Sequence, residues 1–137
     1  MDQKTINLVQ ESFKKVKPIA STAAEIFYTK LFELDPKLKK LFPSNQQAMA
    51  SQGNKLMTMI GAAVAGLNDL DALVHILENL GKKHIEYKVE ASHYDTVGTA
   101  LLDTLQTGLG DSFTKEVKEA WTTVYSTISS VMIKASY

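Results

Sequence analysis

An all-α fold is predicted for this chain of 137 residues, and three observations predict it. Apolar residues recur at helical spacing almost everywhere. No segment alternates as a half-buried strand does. The connections between periodic segments are short and carry capping residues or proline. Length and a 45% hydrophobic share fit a single domain, residues 1–137, able to close a real core.

Taken in order, Ile6, Val9, Phe13 and Val16 form one apolar stripe that ends at Pro18. A second helix carries Ile26, Phe27, Leu31 and Phe32. Asp35-Pro36 restarts the chain, with Asp as cap and Pro tolerated in the first turn. The short helix that follows ends near Leu41-Phe42, where Pro43 blocks continuation. Residues Pro43 to Gln47 are expected to be a polar connection. The next helix runs roughly from Ala48 to Gly66, with Gln52, Leu56, Ile60 and Ala63 on one face. Asn68 to Asp71 is a break with capping chemistry, followed by a helix through Leu73, Ile76, Leu77 and Leu80 to His84. Ser92 to Leu109 places Tyr94, Val97, Leu101 and Leu105 together, and Gly108 and Gly110 end it. A last helix carries Val117, Trp121, Val124, Tyr125, Ile128 and Met132.

Composition excludes several functions. Fifteen basic and fifteen acidic side chains cancel and are interspersed, which argues against nucleic-acid binding or a polybasic membrane patch. With no cysteine there are no disulfides, thiolate metal sites or cysteine nucleophile. The charged N-terminus has no apolar signal segment. The longest apolar stretch, Met57 to Leu67, is too short to span a bilayer. A cytoplasmic location is therefore expected.

Four residues of unlike chemistry stand out on these helices: Tyr28, Phe42, Gln52 and His84. His84 lies one turn beyond Leu80 on an apolar stripe, where an imidazole either binds a metal or makes a structural hydrogen bond. His75 and His93, among polar neighbours, read as surface residues. Tyr28 beside Phe27 fits core packing as well as chemistry. Gln52 shares a face with Leu56 and Ile60, so its amide needs a partner there or lies at the helix edge. Phe42 before Pro43 is equally a loop anchor.

The order and spacing of Phe27-Tyr28, Asp35-Pro36, Leu41-Phe42-Pro43, Gln52-x-x-Lys55-Leu56, Leu80-x-x-x-His84 and His93-Tyr94-x-x-Val97-Gly98 resemble the globin family along essentially the whole chain. The likeness is greatest to bacterial single-domain globins of the Vitreoscilla and flavohaemoglobin type, to which Ala120-Trp121 and Tyr125 also correspond. The resemblance implies a three-over-three helical sandwich around haem. It makes His84 the iron ligand and Tyr28, Gln52 and Leu56 the distal residues beside a bound gas. Phe42, Lys55, Leu56, Leu80, Val89, Tyr94 and Val97 become cofactor contacts, with Lys55 at a propionate. In the flavohaemoglobin type a glutamate on the last helix joins the proximal histidine and tyrosine; the corresponding position here is Ser136, which puts a strong proximal push in doubt. Without a C-x-x-C-H motif the cofactor is expected to be haem b, held without covalent bonds.

The function this implies is reversible O₂ binding of high affinity, in transport or storage, with NO and CO as further ligands. Alternatives are NO dioxygenation and haem-based gas sensing. The sequence ends at Tyr137 without a flavin or nicotinamide reductase, so turnover is expected to need a reductase in trans. A monomer or homodimer is expected.

Overall fold

The computed structural model describes residues 2–42, 45–86 and 91–136, with the backbone alone at residues 41, 46, 83–86, 91, 135 and 136. Six α-helices carry the chain: α1 Gln3–Val16, α2 Ala20–Leu34, α3 Gln46–Ala65, α4 Leu70–Glu86, α5 Ala91–Leu109 and α6 Lys115–Ser136. Among the described residues there is no strand, and no helix is long and apolar enough to cross a membrane.

Local chemistry accounts for the helix ends. The Asp2 carboxylate accepts from the Thr5 amide at 2.8 Å and starts α1. Pro18 does not break the chain but sits in a 3₁₀ turn, Lys17–Ile19, because its fixed φ suits the first turn of such a helix. Asp35 caps the Lys37 amide at 3.1 Å, and the short helix Pro36–Leu41 is 3₁₀. Helix α3 begins at Gln46, two residues before the expected Ala48, because the Asn45 side chain accepts from the Ala48 amide. Asparagine in that connection is a cap. Pro43 and Ser44 lie outside the described residues. Asp69 accepts from Ala72 and Leu73 to open α4. Thr114 does the same for α6, its hydroxyl oxygen accepting from Val117 and its carbonyl from Lys118. Of the two glycines expected to end α5, Gly108 lies within the helix, and only Gly110, at φ +55°, takes the left-handed conformation that stops it.

The helices pack mainly as α4 on α6, α2 on α5, α1 on α6 and α2 on α3. Two apolar clusters result. The larger joins Ile6, Val9, Phe13 and Val16 of α1 to Val117, Trp121, Val124 and Met132 of α6, with Leu73 and Leu77 of α4. At its centre Trp121 is 2% exposed, and its indole N–H donates to the Ser12 hydroxyl at 2.8 Å. That hydroxyl in turn donates to the Leu8 carbonyl at 2.7 Å. A buried indole is thus satisfied across 109 residues of sequence. The smaller cluster gathers α2, the 3₁₀ helix, α3 and α5 around Tyr28.

Removing the acceptor for the Trp121 indole leaves a buried donor unmet, which costs about 1–3 kcal/mol. Ser12→Ala is therefore expected to lower apoprotein stability by about that amount in urea unfolding. A midpoint equal to the wild type would show that the bond contributes nothing.

Candidate functional site

The smaller cluster brings together four of the residues singled out from the sequence. Phe27, Tyr28, Leu31, Leu38 and Ala100 are buried, and Phe32, Phe42, Met49, Leu56 and Val97 pack against them half-exposed. The Tyr28 ring stands edge-on to Phe42 with centroids 5.3 Å apart and stacks on Phe32 at 6.0 Å. Phe42 meets Phe32 edge-on at 5.5 Å. Such tilted pairs suit the ring quadrupoles. Phe42 is therefore an aromatic wedge between two residues of α2, and it reaches them because the 3₁₀ helix delivers it in extended backbone.

Tyr28 is 7% exposed, and its hydroxyl donates to the Gln52 main-chain carbonyl at 3.5 Å. That distance is at the weak end of hydrogen bonding. Burial pushes the phenol up to about 12, with hydrogen bonding to the Gln52 side chain partly offsetting it. Tyr28 therefore stays protonated, as a donor, at every physiological pH. The Gln52 residue is half-buried on the same α3 face as Leu56 and Ile60.

What lets the phenol sit so near α3 is Gly53, which the sequence reading passed over. A Cβ there would lie 3.0 Å from the Ala24 Cβ and 3.8 Å from the Tyr28 ring. Helices α2 and α3 cross with no room for a larger side chain between them. The only sequence signal was a buried-face glycine inside a helix, which points to close approach rather than to chemistry.

The remaining predicted residues distribute differently. Lys55 is exposed, beside Leu56. Tyr94 is buried and belongs to the larger cluster, against which Leu80 packs. The backbone of His84 lies in the last turns of α4, one turn beyond Leu80; its side chain, Val89 and the Ser136 side chain lie outside the described residues. His75 is exposed as expected, whereas His93 is half-buried rather than on the surface, since α5 begins at residue 91 and carries it into the packed first turn. Between the clusters lies an apolar cavity of about 10 Å³, walled by Phe13, Ala23, Phe27, Leu56, Leu101 and Trp121. Thr104 also borders it, but its hydroxyl is spent on the Ala100 carbonyl at 2.7 Å.

Between pH 10 and about 12 the unfolded chain has lost the Tyr28 proton while the folded chain keeps it. Stability should then fall as pH rises through that window, by on the order of 2 kcal/mol. Tyr28→Phe is expected to flatten that fall and to remove one late-ionising phenol from the ultraviolet titration. Loss instead of a phenol that ionises near its ordinary value of about 10 would place Tyr28 in solvent.

A family profile described as Globin matches residues 25–132. The flavohemoprotein of Vibrio cholerae is 30% identical over 133 residues, covering 97% of this chain and 34% of that protein. The neuroglobin of Danio rerio is 32% identical over 145 residues, covering 98% of this chain and 91% of that protein. The chain thus spans about a third of the flavohemoprotein's length and nine tenths of the neuroglobin's. A hexacoordinated heme protein from an anhydrobiotic tardigrade superposes with a TM-score of 0.88 at 19% identity, covering 98% of this chain and 94% of that one. Helix order, packing and these matches together show that the chain has the globin fold and belongs to the globin family.

Proposed function

We propose that this globin takes up haem b without covalent attachment and binds O₂ reversibly with high affinity, for transport or storage. His84 would hold the iron, and Tyr28 with Gln52 would face the gas. When bound, the haem would supply an iron centre able to take up a diatomic gas.

The donor set fits such a group. Phe32, Phe42, Met49, Leu56 and Val97 are apolar side chains left half-exposed around a buried centre, a rim that a flat apolar body would cover. Lys55 stands exposed next to Leu56, suited to an anionic edge such as a propionate. Leu80 and His84 lie one turn apart on α4, the spacing at which side chains share a helix face. Tyr94 and Val97, together with Val89, complete the proposed set of contacts.

The observation that carries the oxygen reading is Tyr28. A phenol sunk among aromatic and aliphatic side chains, its one proton held only weakly by a carbonyl at 3.5 Å, can turn that proton to a polarised ligand. Hydrogen bonds to a charged partner are worth about 1.5–3 kcal/mol. Each donor therefore slows ligand escape by about ten- to a hundredfold. Oxygen, which draws negative charge on binding, gains from both Tyr28 and Gln52; CO, which draws less, gains less.

A second reading is supported by the similarity to flavohemoproteins: O₂ and NO would combine to nitrate in the same pocket, with the electron that each turnover needs supplied by a reductase. Comparing NO consumption with and without an added reductase separates turnover from storage.

Titration of the apoprotein with hemin should give a Soret band that shifts in turn under dithionite, air and CO. His84→Ala is expected to abolish stable uptake, and a native-like Soret band in that variant would remove His84 as the ligand. Tyr28→Phe should speed oxygen dissociation at least tenfold in stopped flow, roughly the loss of one such hydrogen bond. An off-rate equal to the wild type would remove Tyr28 from the ligand's surroundings.

A further inference from the structure

The geometry points to Tyr125 of α6 as a positioning residue that fixes the first turns of α5, the turns that carry Tyr94 and Val97, and so sets one wall of the haem pocket. The inference rests on the haem function proposed above. No residue of the pocket touches haem through Tyr125; its action is through the α5 backbone.

Two contacts from one side chain make the grip. The Tyr125 hydroxyl donates to the Tyr94 carbonyl at 2.6 Å, at the short end for such a bond. The ring lies so close to Gly98 that a Cβ there would be 2.7 Å from Cε2 and 3.1 Å from Cδ2. Tyr94 and Gly98 are four residues apart, one above the other on the same face of α5. Hydroxyl and ring therefore hold successive turns of one helix. A carbonyl oxygen has two lone pairs, so Tyr94 accepts the phenol without giving up its place in the helical ladder.

The bond is durable as well as short. Burial, above all, pushes the Tyr125 phenol up from its ordinary value, with Tyr94 and Asp95 adding to the shift. The proton it donates is held throughout the neutral range. With the carbonyl tethered and the ring seated on a bare glycine, α5 cannot slide along or rotate against α6 without losing both contacts. Any such movement would carry Tyr94, 5% exposed in the larger cluster, and Val97, packed in the smaller one with Tyr28. One side chain on α6 thereby ties the two clusters in register.

The Trp121–Ser12 bond provides a matched control. It is also a buried side-chain bond from α6, but it ties α6 to α1, with neither donor nor acceptor on α5. In hemin-reconstituted protein, Tyr125→Phe keeps the ring and deletes only the donor. It should lose hemin to excess apomyoglobin about three- to tenfold faster than wild type, the factor that one hydrogen bond commands. It should also shift the iron–histidine stretching band in resonance Raman spectra of the reduced protein. Gly98→Ala, which displaces the same ring from the other side, should move both readouts the same way. Ser12→Ala should move neither, even where it lowers the thermal midpoint as much. In the apoprotein, amides of α5 near Tyr94 should exchange faster in Tyr125→Phe than in Ser12→Ala. Unchanged hemin loss and an unshifted band in Tyr125→Phe would overturn the inference, as would a Ser12→Ala variant that matches it in both. Hemin uptake by wild type with Tyr125→Phe unaltered defeats this inference alone; a wild type that takes up no hemin defeats the functional proposal with it.

Discussion

A polar group placed inside an apolar cluster is the constraint from which the rest follows. Helices α2 and α3 cross where Ala24 faces Gly53, so closely that a Cβ on Gly53 would lie 3.0 Å from the Ala24 Cβ. That crossing presses the Tyr28 ring against α3 and leaves its hydroxyl with a 3.5 Å contact to a carbonyl. An unmet buried hydroxyl costs about 1–3 kcal/mol, so a fold that carries one at partial satisfaction gives up stability at that point. On the proposed function, the loss would be recovered when a ligand accepts the bond. A weakly met hydroxyl surrounded by packed rings distinguishes the smaller cluster from ordinary core.

The two clusters divide the work. In the larger, the Trp121 indole, the Ser12 hydroxyl and the Leu8 carbonyl form a chain of matched donors and acceptors. Its residues come mainly from α1, α4, α5 and α6, with Ala23 of α2 and Val64 of α3, and make the framework. The smaller cluster is rimmed by half-exposed Phe32, Phe42, Met49, Leu56 and Val97. At roughly 25 cal/mol per Å² of apolar area removed from water, covering such a rim with a planar group contributes several kcal/mol per few hundred Å². A cofactor in this position would stabilise the fold as well as equip it.

The helices were legible because periodicity reports burial directly. The α1 stripe Ile6, Val9, Phe13 and Val16 is buried throughout, and Asp35-Pro36 behaves as its capping chemistry requires. Boundaries shifted where one residue has two plausible roles: Asn45 served as a cap where it read as loop, and Gly108 stayed helical while Gly110 turned. The convergence of Tyr28, Phe42, Leu56 and Val97 was not available from periodicity, which says which face is buried but not what that face meets. It came through the family pattern. Gly53 and Gly98 signal close approach but not what approaches, and the Tyr125–Tyr94 bond has no signature along the chain, since close approach between helices is a property of pairs distant in sequence. Tyr125 and Tyr94 are 31 residues apart, and neither residue type announces a partner.

Near-equal identity to a flavohemoprotein and to a neuroglobin, 30% and 32%, separates two properties that function would otherwise blend. Those two proteins differ nearly threefold in the share of their length that this chain spans, 34% against 91%. What all three have in common is the globin framework. Ligand retention, by contrast, is a local matter: it depends on which donors point into the apolar cluster and how firmly α2, α3 and α5 hold them. Tyr28 enters from α2, Gln52 from α3, and the wall opposite is set by α5, itself gripped by α6. On the proposed function, oxygen affinity would be tuned at the Gly53 and Gly98 crossings without touching Tyr28 or Gln52, because each crossing fixes a distance on which a hydrogen bond depends steeply. On the same proposal, turnover chemistry would be layered on that affinity by whatever delivers electrons.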